Sequence, residues 1–398
     1  MLSKRLSMLK PSPTLALAAK AKELKSQGHD VISLTVGEPD WPTYGPSKEA
    51  GIAAINNNKT TYTPASGIPD LKKAIAELVG GQINKEIKPS QVTVGSGAKF
   101  IIYTAFTAIL DPGQEVIVPS PYWVSYPTMV ELAGGVAKVV DCGEETNFKL
   151  TAAQLKEAIN SKTKALLLNS PSNPTGAEYT VSELEEINKV LEDNPDVMII
   201  SDDIYNQLSF NEKGLSPHLL NINPKLFDRC ISINGMSKAY SMTGWRIGWA
   251  VGNETVIKAM ASFQSQTTGA PSSISQWASV TAINDCKKQV VESLDNLKER
   301  KSFFEGQLSQ VPGLSIFSPE GAFYLWVNVK EWLGKTYKGE AISDSRILAQ
   351  KLLDDEKLAV VPGIEFGTEG YLRLSFAASP KDLERATERF KNFQSQLS

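Results

Sequence analysis

Between Gln91 and Gly252 the chain repeats one pattern: a short apolar, β-branched run that stops at small or turn-forming residues, followed by a helical stretch. QVTVGSG precedes AKFIIYTAFTAIL, EVIVPSP precedes YWVSYPTMVELAG, VAKVVDC precedes TAAQLKEAI, and TKALLLNSP precedes TVSELEEINKVLE. VMIISDDIY, CISINGMSK and RIGWAVG complete the series. Runs that are apolar at successive positions belong to strands buried on both faces. Strands alternating with helices predict an α/β fold: a large domain with a mostly parallel sheet covered by helices on both faces.

From about Asn253 to Val311 the pattern is nearly all helical, which carries the chain away from that sheet. Beyond it, AFYLWVNV, LAVVPG and YLRLSFAAS read as strands, and SRILAQKLLDDEK and PKDLERATERFKNFQSQL as amphipathic helices. These predict a smaller α+β domain built from the N-terminal arm and the C-terminal segment. The expected division is 1–44 for the arm and part of the small domain, 45–295 for the large domain and 296–398 for the C-terminal small domain. No repeat or low-complexity linker interrupts the chain, so close packing of the two domains is expected. The first residues are basic and free of acids until Glu23, as in a transit peptide, but they lack a signal-type apolar core and run into a helical pattern. An N-terminal arm is expected there.

Charge and side-chain inventory exclude several functions. A net charge of −3 gives no general attraction for nucleic acid or an anionic membrane, so any bound anion must be caught by a local site. No apolar run approaches the ~20 residues of a membrane span. Cys142, Cys230 and Cys286 form no metal-spaced pair, which suits a reduced, cytoplasmic protein. With only His29 and His218, no multi-histidine metal centre is possible and no metal site is expected. A Ser-His-Asp mechanism would rest on one of those two, and both lie where solvated or capping roles fit better.

Two nucleotide motifs fail on inspection. GSGAKF has Gly95 and Gly97 in dinucleotide-binding spacing but Phe100 in place of the third glycine. GKT at 334–336 has Val329 where a phosphate-binding loop needs glycine. The small residues of GSGAK still suit either a tight turn or a helix N-terminus that presents N–H groups to an anion. Arg246 and Ser237 are further candidate anion ligands. The rigid loop SPSNPTG and the strand end SDDIY put Asn173, Asp202 and Tyr205 at the carboxyl edge of the sheet, where open α/β sheets bind ligands. Asp202 there suits either a helix cap or a partner for a buried ring nitrogen. Lys238 lies among small and apolar residues in GMSKAYSMTGWRIGW. An unpaired buried cation costs several kcal/mol, so such a lysine is either led to solvent or given chemical work.

Together VGEPD, TYTPASGIPDL, PYWVSYP, NSPSNPTG, SDDIY, SKAYSMTGWRIG and YLRLSFA resemble, in order and spacing, the fold-type I, pyridoxal phosphate-dependent class I aminotransferases along essentially the whole chain. PYWVSYP with GSGAK is similar to the bacterial aspartate aminotransferase branch, some of whose members also accept prephenate or arogenate. The resemblance implies pyridoxal 5′-phosphate as cofactor, bound by the large domain. It implies transamination between L-aspartate and 2-oxoglutarate by a cytoplasmic homodimer with shared active sites. The partners it implies are amino acids and 2-oxo acids, with no nucleic acid and no membrane.

By the same resemblance Lys238 is the Schiff-base lysine and then the base at the substrate Cα. Asp202 keeps the pyridine nitrogen protonated, and Tyr205 with Asn173 hydrogen-bonds the ring's phenolic oxygen. Trp123 stacks on the ring. Arg246, Ser237 and the Ser96, Gly97 and Ala98 segment hold the phosphate, joined by Tyr62 of the neighbouring subunit. Arg373 grips the substrate α-carboxylate. Gly37, Trp123 and Asn173 complete the substrate site, and Lys99 takes the distal carboxylate. Two departures stand out. Gly235 replaces a frequent serine, and Asp203 replaces a usual glutamate one residue off the cofactor face. The same fold also hosts aromatic- or alanine-type aminotransferases and pyridoxal phosphate-dependent lyases. A ligand-sensing regulator is disfavoured, since it would add a helix-turn-helix domain for which the chain has no spare residues.

Overall fold

The computed structural model describes residues 13–398, with side chains from residue 17 onward. The first part of the expected N-terminal arm therefore lies outside the described residues.

Seven strands form the main sheet in the order Val92–Gly95, Gly248–Val251, Cys230–Gly235, Met198–Asp202, Thr163–Asn169, Glu115–Ser120, Val136–Asp141. All neighbours pair in parallel except Gly248–Val251, which is antiparallel to both of its partners. Alternate residues of one strand enter different cores. Ile117, Leu166 and Ile199 pack into one apolar cluster, whereas Val116, Val118, Leu167 and Ile200 pack into another. That two-sided burial follows from the period of two in an extended strand. The edge strand Val136–Asp141 departs from the expectation of double burial, because Val136 and Val139 are exposed. The opposite edge strand, Val92–Gly95, is buried throughout, so thinner helical cover rather than edge position alone exposes Val136–Asp141.

Helices on the two faces begin where side chains satisfy free N–H groups. Thr151 with Gln154 and Thr180 with Glu183 form reciprocal capping boxes at Ala152–Ala158 and Val181–Glu192. The helical region after Asn253 resolves into Glu254–Ser265, Ser273–Asp285 and Lys287–Leu308. A second, four-stranded antiparallel sheet has the order Val361–Pro362, Tyr371–Ser375, Tyr324–Asn328, Ser315–Phe317. Ile32–Ser33 pairs with Leu358–Ala359, which ties the chain's N-terminal part to this unit. One apolar cluster contains Ile204, Tyr205 and Leu208 beside the main sheet and Phe323, Tyr324 and Leu325 of the second sheet. The two units pack directly on one another.

Candidate active site

Parallel pairing sets where chemistry is possible. Thr163–Asn169, Met198–Asp202 and Cys230–Gly235 release the chain at one edge, with Asn169 opposite Asp202 and Asp202 opposite Ile233. The antiparallel strand starts at that edge, so Arg246, just before Gly248, arrives there too. Between this edge and the second sheet lies a cavity of about 390 Å³.

Lys238 reaches into the cavity and donates through Nζ to the Gly37 carbonyl. Burial, reinforced by the Arg373 charge, lowers its pKa to about 8. Asp202 is 3% exposed. It accepts hydrogen bonds from the Tyr126 hydroxyl at 2.6 Å and from the Ile204 N–H at 3.2 Å. Burial raises its pKa to about 6 despite those two donors. The Tyr205 hydroxyl stands 2.8 Å from the Tyr324 hydroxyl, and the Lys238 ammonium lies 5.6 Å from the Tyr205 ring centre.

Two anion cradles flank Lys238. At one, Arg373 is 3% exposed and donates to Asn173 Oδ1 at 3.0 Å and the Thr35 carbonyl at 2.6 Å. Among the described residues its Nε has no hydrogen-bond partner, and the acidic groups beside it are the phenols of Tyr324 and Tyr205 rather than a carboxylate. A buried cation without a counter-ion is expensive, so the arrangement can seat an incoming carboxylate. At the other, Gly97 adopts φ +90° before the helix Ala98–Ile109, and a Cβ on it would overlap the Arg246 guanidinium. Only glycine leaves the N-terminal N–H groups, Ser237 and Arg246 facing one volume, which suits a phosphate. Arg246 is held by donation to the Thr243 carbonyl at 2.8 Å. A phosphorylated pyridine ring carrying a carbonyl fits this donor set. Its phosphate has a cradle, its ring has Trp123 as a wall, its nitrogen has Asp202 and its carbonyl has Lys238.

The structure brings Gly37, Ala98, Lys99, Trp123, Asn173, Asp202, Tyr205, Ser237, Lys238, Arg246 and Arg373 to this one cavity. Lys99 is exposed by area, yet its ammonium sits 4.8 Å from the Trp123 ring centre. Surrounding protein and then Arg246 lower its pKa. Ser96 and Gly97 are not among the lining residues, and Tyr62 is fully exposed outside the cavity. Asp203 faces away and accepts from Ser201 Oγ at 2.6 Å and Ser232 Oγ at 2.5 Å. His218 caps the Leu220 N–H through Nδ1 at 3.0 Å, but it is buried rather than solvated. Gly235 has a steric reason: a Cβ there would stand 2.8 Å from the Ile247 carbonyl oxygen. Among the described residues no cluster of His, Cys, Asp and Glu could hold a metal, and no helix is long and apolar enough to cross a membrane.

Three ionisable lining residues are not singled out by the sequence: Glu38, Tyr126 and Tyr324. Glu38 accepts from Thr243 Oγ1 at 2.7 Å. Its place beside Gly37 in VGEPD was the available signal. Tyr126 and Tyr324 lie in apolar runs that read as core.

The family model described as aminotransferase class I and II matches residues 29–390. A Rickettsia felis protein named probable aspartate/prephenate aminotransferase is 46% identical over 391 residues, 98% of this chain and 95% of that one. The aspartate aminotransferase of Bacillus subtilis is 45% identical over 392 residues, 98% of each chain. Among solved structures, the aspartate aminotransferase of Rhizobium meliloti superposes with TM-score 0.96 at 39% identity and covers all of both chains. The aspartate aminotransferase of Thermus thermophilus with maleate gives TM-score 0.92 at 39% identity over 99% of each chain.

Proposed function

We propose, on the premise that this chain belongs to the class I and II aminotransferases, that it exchanges an amino group between L-aspartate and 2-oxoglutarate, giving oxaloacetate and L-glutamate. Pyridoxal 5′-phosphate is the cofactor its donor set fits. When bound, that group supplies an electrophilic carbonyl and a ring that accepts the electron pair left as the substrate Cα is deprotonated.

The chain's own residues do the rest. Arg246, Ser237 and the N–H groups of the Ser96–Gly97–Ala98 turn hold the phosphate, and Trp123 fixes the plane of the ring. Asp202 keeps the ring nitrogen protonated; a carboxylate facing that cation is stabilised in its ionised form. Tyr205 and Asn173 serve the ring's phenolic oxygen. Lys238 carries the cofactor and, once freed by the substrate amine, moves the proton at the substrate Cα. Its pKa of about 8 leaves a useful share of neutral amine near neutral pH. Arg373 takes the α-carboxylate through its paired N–H groups, and the absence of a Cβ on Gly37 lets the backbone approach it closely.

Lys99 takes the second carboxylate. The Thermus thermophilus relative with maleate, a dicarboxylate, supports that choice of substrate class. Prephenate, a 2-oxo acid with a second carboxylate, belongs on the same acceptor list, as the name of the Rickettsia felis relative suggests. Full exposure of Tyr62 supports its reaching a neighbour's phosphate in a two-fold dimer, and three buried free cysteines suit a reducing cytoplasm. Arg373 and Tyr324 come from the second sheet and Lys238 and Asp202 from the first, so closing the two units over substrate completes the site.

The observation that carries this reading is Arg373, a buried cation lacking a carboxylate partner among the described residues, in the same cavity as a lysine whose pKa burial lowers to about 8. The test is incubation of the cofactor-loaded protein with aspartate and 2-oxoglutarate. Oxaloacetate and glutamate in equal amounts are expected. Pyruvate or free ammonia instead would mean lyase chemistry.

A further inference from the structure

Tyr324 has no part in the roles assigned above, yet three of their residues meet at it. It opens the strand Tyr324–Asn328 and is fully buried. That strand lies beside the one bearing Arg373, with Trp326 opposite Arg373. The Arg373 guanidinium rests 4.4 Å from the centre of the Tyr324 ring. The Tyr324 hydroxyl stands 2.8 Å from that of Tyr205. A Cβ on Gly37 would come within 2.6 Å of the same hydroxyl, and the Gly37 carbonyl is the acceptor for Lys238.

We propose that Tyr324 is a positioning residue that donates to Tyr205 and so strengthens the hydrogen bond Tyr205 makes to the cofactor's phenolic oxygen. The number of available protons sets the direction. Each phenol owns one O–H, and in the pair either oxygen can accept. Once Tyr205 spends its proton on the ring's phenolic oxygen, its lone pairs remain, and the bond to Tyr324 survives only with Tyr324 as donor. A donor chain polarises along its length, so Tyr205 becomes the stronger donor and the phenolic oxygen holds its own proton less tightly. The Arg373 guanidinium lies against the Tyr324 ring and favours that polarity, since a nearby cation makes a phenol a better donor. The proposal rests on the cofactor reading, because it assigns Tyr324 a role toward that group.

The test uses the holoenzyme without substrate. The visible band of the wild-type protein is titrated against pH and compared with Tyr324→Phe, Tyr205→Phe and the double variant. Phenylalanine keeps the ring, its packing and the face offered to Arg373, and removes only the donor. In Tyr324→Phe the spectroscopic pKa is expected to rise by about half a unit, the scale of one neutral hydrogen bond acting through a second group. The KM for aspartate should stay within about twofold, because Arg373 keeps its aromatic seat. Adding Tyr324→Phe to Tyr205→Phe should give no further rise, since the chain is already cut. An unchanged pKa in a fully loaded Tyr324→Phe protein, or an equal rise in the Tyr205→Phe background, would overturn the proposal. Failure of the underlying cofactor reading looks different: the wild-type protein itself would show no pH-dependent visible band.

Discussion

Burial acts on Lys238 and Asp202 in opposite senses, lowering the amine to about 8 and raising the carboxyl to about 6. A lowered amine is neutral, and therefore nucleophilic, above its pKa. The rate at which cofactor-free protein takes up pyridoxal 5′-phosphate should thus climb with pH and level off above about 8, followed by the growth of visible absorbance. A rate still climbing steeply at pH 10 would indicate an ordinary, solvated lysine. Lys99 supplies a second expectation at this scale. In the proposed roles Arg373 and Arg246 take the α-carboxylate and the phosphate, which leaves Lys99, beside Trp123, for a distal carboxylate. Lys99→Ala should lower kcat/KM for aspartate and glutamate about ten- to hundredfold, the worth of a lost charge-assisted hydrogen bond of roughly 1.5–3 kcal/mol. The weak rate with alanine should barely change. Equal losses for aspartate and alanine would make Lys99 a general structural residue.

Among the elements, the turn from Gly95 into the helix Ala98–Ile109 bears most on function, because φ +90° at Gly97 and the nearby guanidinium leave no room for a Cβ. Gly97→Ala should displace Arg246 and weaken cofactor binding at least tenfold by fluorescence titration, with the far-ultraviolet dichroism of the folded chain retained. Unchanged affinity would remove this turn from the phosphate site. Legibility in the sequence follows the same geometry. Strand ends were readable, because parallel pairing gathers them at one edge, and Asn173, Asp202 and Lys238 could be placed from their motifs. Tyr126 and Tyr324 were not, because a tyrosine inside YWVSYP or AFYLWV reads as packing until the partner of its hydroxyl is known. Exposure of the edge strand Val136–Asp141 was not legible for a related reason: apolar composition does not tell how much helical cover a strand receives. Nor does periodicity mark the break at Cys286, where Ser273–Asp285 gives way to Lys287–Leu308.

At the scale of the whole molecule, Tyr62 is fully exposed and outside its own chain's cavity, where the proposed dimer would use it. In that proposed two-fold dimer each Tyr62 would serve the other subunit's site. Mixing Lys238→Ala with Tyr62→Phe protein under subunit exchange should then restore activity, since one site of each hybrid collects both lesions and the other has none. No recovery despite proven exchange would confine Tyr62 to its own subunit. All of these expectations depend on one residue holding the cofactor. The most direct measurement is borohydride reduction of the loaded protein, followed by proteolysis and mass spectrometry of the peptides. The pyridoxyl mass should appear on Lys238 alone, at one per chain, and be absent from Lys238→Ala. The same mass on another lysine, or retained by Lys238→Ala, would contradict the account.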